Sequence, residues 1–533
     1  MGFFILVLLI AAPGQYGALA ADPLPVDPPE RTTTIVVSYN QTLWWVIRWS
    51  DNTILCSVKT DHEGLPNGEE IYAQCGKTIY NLWVATPACQ PEANDAIGTK
   101  YCQGVYLFMV DNKAAEKTIQ VELPQPEVWL TLGDCQVLTS ERHCAALPSL
   151  ILTAEEPLPN EHITAIHALI NGRSFHCNGN TCKIPLSSTT MVGSSVEFWA
   201  DSSFGDSSKH FTALVRVVDN GVAASPMGGG WFVDVISTQW LGGYQSTCAQ
   251  IWGVFPPLGE LPNWLLTPEF PALIASDAPF QYLAGRLIAN GVVDGSSCLN
   301  FGLLPNGYAD ACGTSLALPI VEQWQNQFDV QILEVAQEKN IPGQLLKNLF
   351  AQESQFWPGM FKDPKEYGLG QLTDNGADSL LLWNPSFFTQ FCPLVLNEDH
   401  CDRGYVYLSA SDQALLRGAL AVKVNADCSD CAAGIDLQNA HFSIDLFAQT
   451  LIANCAQVSR IVYNATSRSP AVTTDYESLW RFTVANYHVG AGCVSYAIYT
   501  TWNNRQQLNW ENVAKNFTPA CQGVVSYVEK VTP

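Results

Sequence analysis

Eighteen cysteines, most of them in close couples, constrain this 533-residue chain more than any other feature. The couples are Cys56/Cys75, Cys89/Cys102, Cys135/Cys144, Cys177/Cys182, Cys298/Cys312, Cys392/Cys401 and Cys428/Cys431. In an exported chain, an even count at such spacings reads as a disulfide framework, and the compartment must then be oxidising. Residues 1–220 hold eight cysteines, 221–320 three, and the remainder seven. Two odd groups side by side imply at least one bridge from the middle segment to the C-terminal part, if every cysteine pairs. Zinc is the competing reading for Cys428-Ser429-Asp430-Cys431 with His400 and His441 nearby. The usual second Cys or His pair is missing there.

The first twenty residues fit export. Phe3 to Ala12 is a short apolar run, followed by Pro13, Gly14 and an Ala18-Leu19-Ala20 cleavage pattern. No Lys or Arg precedes the run. A signal peptide over 1–20 is expected, and no later segment has the roughly 20 uninterrupted apolar residues of a membrane helix. The mature chain is therefore expected to be soluble and extracytoplasmic, secreted or in the cell envelope. A formal net charge of −24 argues against a nucleic-acid partner, whose binding rests on Lys and Arg, and against an anionic membrane surface. A neutral partner held by hydrogen bonds and stacking fits better.

At this length a single core is excluded and several domains are expected. Residues 21–35 are Pro-rich and read as a linker. From there, short β-type runs follow: Thr34 to Tyr39, Trp44 to Trp49 and Tyr106 to Val110, with Leu65-Pro66-Asn67-Gly68 as a separating turn. A second set contains Trp129 to Leu132, Leu150 to Thr153, Val196 to Ala200 and Phe211 to Val218. Each set has the size of a β-sandwich, so two sandwich-like, Ig-like domains are expected over 36–122 and 123–222. Residues 223–325 read as a helical connector, with helices near Pro279–Ile288 and Ser315–Phe328. Helical periodicity prevails over 326–533.

Within that last region Pro342 suits the first position of a helix. Leu346, Leu349, Phe350 and Glu353 then fall at i, i+3, i+4 and i+7, one helical face. The apolar stripe runs into a carboxylate in the last turns of the helix. Apolar surroundings and the negative end of the helix dipole both disfavour the charged form. Both raise the carboxyl pKa, as a general acid working near neutral pH requires. On pattern alone such a Glu is an ordinary solvated flank; the neighbouring residues decide.

Gln352-Glu353-Ser354-Gln355-Phe356-Trp357-Pro358 is followed, fifteen residues after the Glu, by Gly368-Leu369-Gly370-Gln371. Val484-Ala485-Asn486-Tyr487-His488-Val489-Gly490 and a closing segment, Val525 to Val531, come later. In this order, with the first two at this spacing, the motifs resemble the lytic transglycosylase (SLT) family of lysozyme-like folds, over about 330–533. The resemblance implies an α-helical lysozyme-like domain with Glu353 as catalytic acid and base. Ser354 and Gln371 would support the site, Gly368 and Leu369 would line the cleft, and Tyr487 and His488 would lie at the carboxyl or the sugar. Gly370 replaces the family's usual Met, His488 its Asn, and Lys365-Glu366 a Gly-Ala pair. The stretch between Gln371 and Tyr487 is longer than in compact members and reads as a disulfide-pinned insertion near the cleft.

The implied reaction is cleavage of the MurNAc–GlcNAc bond of peptidoglycan strands. One Glu would act as acid and then as base while the substrate's own 6-hydroxyl closes to a 1,6-anhydro end. Hydrolysis is the alternative if a second carboxylate holds a water, with Asp363, Glu366, Asp374 and Asp378 as candidates. A third reading is an inactive glycan-binding surface protein. No cofactor or metal is expected, since the chain lacks a phosphate loop, a dinucleotide fingerprint, an HExxH and an EF-hand loop.

Overall fold

A computed structural model describes residues 30–62, 64–86, 104–135, 143–219, 230–242, 246–259, 261–362 and 365–533. The expected signal peptide, most of the linker, and Cys89 with Cys102 lie outside the described residues. The chain is multidomain, with a β-rich N-terminal region of antiparallel sheets and a helical C-terminal region. It divides into two compact units. One comprises the described residues of Met1–Pro126 with Glu156–His162 and Asp201–Ser207; the other comprises the rest.

In the first unit, β1 (Thr32–Arg48) lies between β2 (Ile54–Thr60) and β3 (Val105–Glu122), antiparallel to both. The two runs expected as separate strands, Thr34–Tyr39 and Trp44–Trp49, belong largely to one β-branched and aromatic strand. Asn40 and Gln41 do not turn; they pair with Ala114 and Lys113. In place of the sandwich expected over 36–122, the described residues form one three-stranded sheet and a helix, α1 (Gly68–Val84). Asn67, expected in a turn, starts that helix. Its side chain accepts from the Glu70 N–H at 2.9 Å, and the Glu70 carboxylate accepts from the Asn67 N–H at 2.9 Å. Cys56–Cys75 ties β2 to α1 over a small core of Val46, Val58, Ile71 and Val105.

The second unit begins with two antiparallel sheets around one core. One has the order β4–β6–β9, from β4 (Glu127–Gly133), β6 (Ser149–Glu155) and β9 (Thr181–Pro185). The other runs β5–β12–β11–β10–β7–β8, from β5 (His143–Cys144), β7 (Ile163–Ile170), β8 (Arg173–Asn178), β10 (Ser194–Ser202), β11 (Phe211–Asp219) and β12 (Trp231–Ile236). Strand alternation sets the faces: Val196, Phe198 and Ala200 are buried, while Glu197 and Trp199 point outward. The sheet extends past the expected boundary at 222, because β12 pairs with β11 and its Val233 and Val235 complete the core. Arg216 pairs with Asp234 on that strand, donates to the Pro256 carbonyl at 2.7 Å and covers the Phe255 ring. These contacts seat the sheet against the segment leading into the helices.

The helical region is α2 (Thr247–Trp252), α3 (Gln281–Ala289), α4 (Ala311–Asn326), α5 (Asp329–Lys339), α6 (Gly343–Glu353), α7 (Asp374–Trp383), α8 (Pro385–Phe391), α9 (Glu398–Cys401), α10 (Ala410–Val424), α11 (Leu437–Thr466), α12 (Tyr476–Asn503), α13 (Trp510–Ala514) and α14 (Gly523–Val531). A hairpin of β13 (Met360–Lys362) and β14 (Lys365–Tyr367) interrupts it. The segment expected as a connector shares one core with the later helices, through Trp252, Trp264, Leu283 and Leu287. Cys248–Cys455 supplies the bridge that the odd cysteine groups require, and Trp252 Nε1 donates to the Cys455 carbonyl at 3.0 Å. Eight disulfides join the described cysteines, Cys428–Cys431 among them, which fits an oxidising compartment. Among the described residues no helix is long and apolar enough to cross a membrane.

Candidate active site

Helix α6 begins one residue later than expected, with Pro342 as its cap. Leu345, Leu346, Leu349 and Phe350 are wholly buried, so the stripe drives this helix into the core and leaves Glu353 at its final position. Gln355 and Phe356 turn left-handed, at φ 49° and 63°, and stop the helix. Ser354 is buried; its hydroxyl donates to the Phe350 carbonyl at 3.2 Å and closes the last turn. The Gln355 side chain reaches α3, where its Oε1 accepts from the Tyr282 N–H at 2.9 Å in a first turn that lacks a side-chain cap of its own.

The Glu353 side chain is 14% exposed, removed from most water yet reachable. Helix α14 packs on α6 and brings Tyr527, whose hydroxyl donates to Glu353 Oε1. His488, from α12, stacks on Tyr527 with ring centres 3.8 Å apart, and its Nδ1 stands 3.9 Å from Glu353 Oε1. Burial pushes the Glu353 carboxyl up to about 7; the Tyr527 hydrogen bond pulls down and the Glu366 charge pushes up. Burial also raises Glu366, and lowers His488. The Tyr487 and Tyr527 hydroxyls are held well above the ordinary tyrosine value by burial and then by the Glu353 charge, so both are neutral donors.

The Gly368–Gln371 turn adjoins the site through Tyr487. Gly368 has φ 74°, and a Cβ there would meet the Val424 carbonyl at 2.8 Å. Gln371 Nε2 donates to the Gly368 carbonyl at 2.8 Å, while its buried Oε1 has no hydrogen-bond partner among the described residues. At Gly370 a Cβ would meet Phe447 Cγ and the Tyr487 hydroxyl, each at 2.6 Å; that hydroxyl donates to the Gly370 carbonyl. The Gly in place of Met is thus matched to Tyr487 and Phe447. Leu369 and Ser354 are buried, so neither side chain is open to a substrate. The insertion reaches this turn through the Val424 carbonyl, which stands against Gly368; Asp427 also accepts from the Met360 N–H at 3.1 Å.

Of the sequence candidates, Glu353, Tyr487 and His488 come together around the carboxyl, beside the turn of Gly368, Leu369 and Gln371. Of the other carboxylates, Asp363 lies outside the described residues, Asp374 is exposed in the first turn of α7, and Asp378 is engaged by Arg417 at 2.8 Å and by Tyr405. Glu366, on the β13–β14 hairpin, is the described carboxylate whose charge acts on Glu353. Sequence reasoning gave Tyr527 no role; its one signal is its place in the closing segment. No protein-family model, no curated protein and no solved structure matches the chain.

Proposed function

We propose that the C-terminal helical region is a lysozyme-like, glycan-cleaving domain in which Glu353 protonates the leaving oxygen of a glycosidic bond. The observation that carries this is a carboxyl at the end of a buried apolar stripe that keeps its proton to about pH 7 and stays partly exposed. Tyr527 orients the protonated acid and stabilises the carboxylate left after transfer. By the motif resemblance, the substrate is the MurNAc–GlcNAc backbone of peptidoglycan. The same carboxylate then takes the proton of the substrate's 6-hydroxyl as that oxygen closes on the anomeric carbon, leaving a 1,6-anhydro end. The β-rich modules, of which the two-sheet one is Ig-like in this reading, serve as spacers or glycan-binding modules of an exported, extracytoplasmic enzyme.

Glu366 favours a second reading, hydrolysis. A second carboxylate beside the acid is what a hydrolase uses to activate water or to trap the oxocarbenium-like sugar. Mass spectrometry of products from purified peptidoglycan tests both, with the wild type beside Glu353→Gln and Glu366→Gln. An anhydro product that needs Glu353 but not Glu366 supports the first reading. A reducing-end product that needs both supports the second. Absence of product from the folded, disulfide-bonded wild type removes peptidoglycan as substrate and leaves a glycan-binding protein.

A further inference from the structure

On the outer face of the six-stranded sheet, four rings stand side by side: His176 on β8, His167 on β7, Trp199 on β10 and His210 beside the start of β11. Trp199 stacks on His167 at 5.1 Å and 8°, and on His210 at 4.2 Å and 10°. His210 is also engaged through Nδ1 by the Glu197 carboxylate at 2.7 Å. His167 and His176 are direct cross-strand partners, and their Nδ1 atoms are 3.4 Å apart.

That separation has a chemical meaning. A tetrahedral cation with bonds of about 2.0–2.1 Å to imidazole holds two nitrogens about 3.4 Å apart. His176 Nε2 lies 3.2 Å from Asn178 Oδ1, so it donates there and leaves the Nδ1 lone pair facing His167. Fixing the far ring nitrogen on a carbonyl oxygen is how proteins orient a metal-binding histidine. The stacked indole holds the His167 ring plane from one side. We propose that His167 and His176 chelate one borderline divalent cation, of the Zn²⁺ and Cu²⁺ class, through their Nδ1 atoms, with water completing its coordination.

The site serves an edge strand. β8 is the outermost strand of its sheet, and Cys177, between His176 and Asn178, bridges to Cys182 on β9. The cation would tie the other face of β8 to β7.

The test is titration of the full, disulfide-intact chain with Zn²⁺ by calorimetry and with Cu²⁺ by electron paramagnetic resonance. One Zn²⁺ per chain is expected, with a Cu²⁺ spectrum showing coupling to two imidazole nitrogens. His167→Ala and His176→Ala should each weaken Zn²⁺ by more than tenfold, and Asn178→Ala by about tenfold. His210→Ala should leave binding unchanged. His176→Phe keeps a ring in the stack without its nitrogens and should lose the site while the circular dichroism spectrum stays that of the wild type. Absence of Zn²⁺ binding by the wild type, or equal affinity in the wild type and in His176→Phe, overturns the proposal and leaves the pair an imidazole–imidazole hydrogen bond.

Discussion

Glu353 carries a prediction that depends on no substrate. Its carboxyl holds a proton to about pH 7 in the folded chain, against 4.5 for an ordinary Glu. Below the lower value both folded and unfolded chains are protonated, and the group contributes nothing to pH dependence. Between the two values the folded chain keeps a proton that the unfolded chain gives up, so stability falls as pH rises; above about 7 the loss is complete. One pH unit of difference corresponds to about 1.4 kcal/mol, so the loss is about 3 kcal/mol. The substitution Glu353→Gln removes this titration while keeping the shape and an oxygen for Tyr527 to donate to. The variant should therefore gain about 3 kcal/mol relative to the wild type between about pH 4 and about pH 8. Guanidinium unfolding of both proteins at constant ionic strength, followed by tryptophan fluorescence, measures the difference and cancels what they share. A difference constant to within about 0.5 kcal/mol across that range would refute the desolvated carboxyl.

Tyr527→Phe removes a donor that favours the ionised carboxyl, so Glu353 should hold its proton to higher pH still. The alkaline limb of the cleavage profile should move up by about one pH unit, as read from kcat/KM; a limb that stays or moves down counts against the assigned hydrogen bond. Gly370→Ala forces a methyl group against Phe447 and the Tyr487 hydroxyl and should cost about 1–3 kcal/mol in thermal unfolding. Replacing both Cys248 and Cys455 by Ser opens a link across 207 residues and should cost about 2–5 kcal/mol, checked by the melting of the oxidised protein.

Local pattern made α6 readable, because Leu346, Leu349, Phe350 and Glu353 repeat at helical spacing and the structure buries all three apolar members. The cysteine couples were readable for a similar reason: short separations leave few partners within reach. The helix after Asn67 was not, although its start had a local signal, Asn67 with Glu70 three residues on, hidden inside a Pro-Asn-Gly stretch that also suits a turn. Tyr527 could not be found by spacing, since the fold brings it to Glu353 from 174 residues away. Glu366 was one of four nearby carboxylates, and its charge acting on Glu353 distinguishes it from the other two described ones. Pairings that depend on tertiary packing leave no period in the chain.

The Cys248–Cys455 bridge changes what a cut in this chain can do. Everything from residue 249 to 454 lies inside one covalent ring, including α6 with Glu353, the Gly368–Gln371 turn and the surface stretches around Leu394 and Tyr407, which are 80% and 79% exposed. A protease nicking such a stretch opens the backbone but releases neither piece, because the two ends remain joined through sulfur and through the core that Trp252 shares with Trp480. Glu353 on one piece then stays beside Tyr487 and Tyr527 on the other. For a single cut inside the ring, parting Glu353 from Tyr487 and Tyr527 takes two agents, an enzyme to cut and a thiol to reduce.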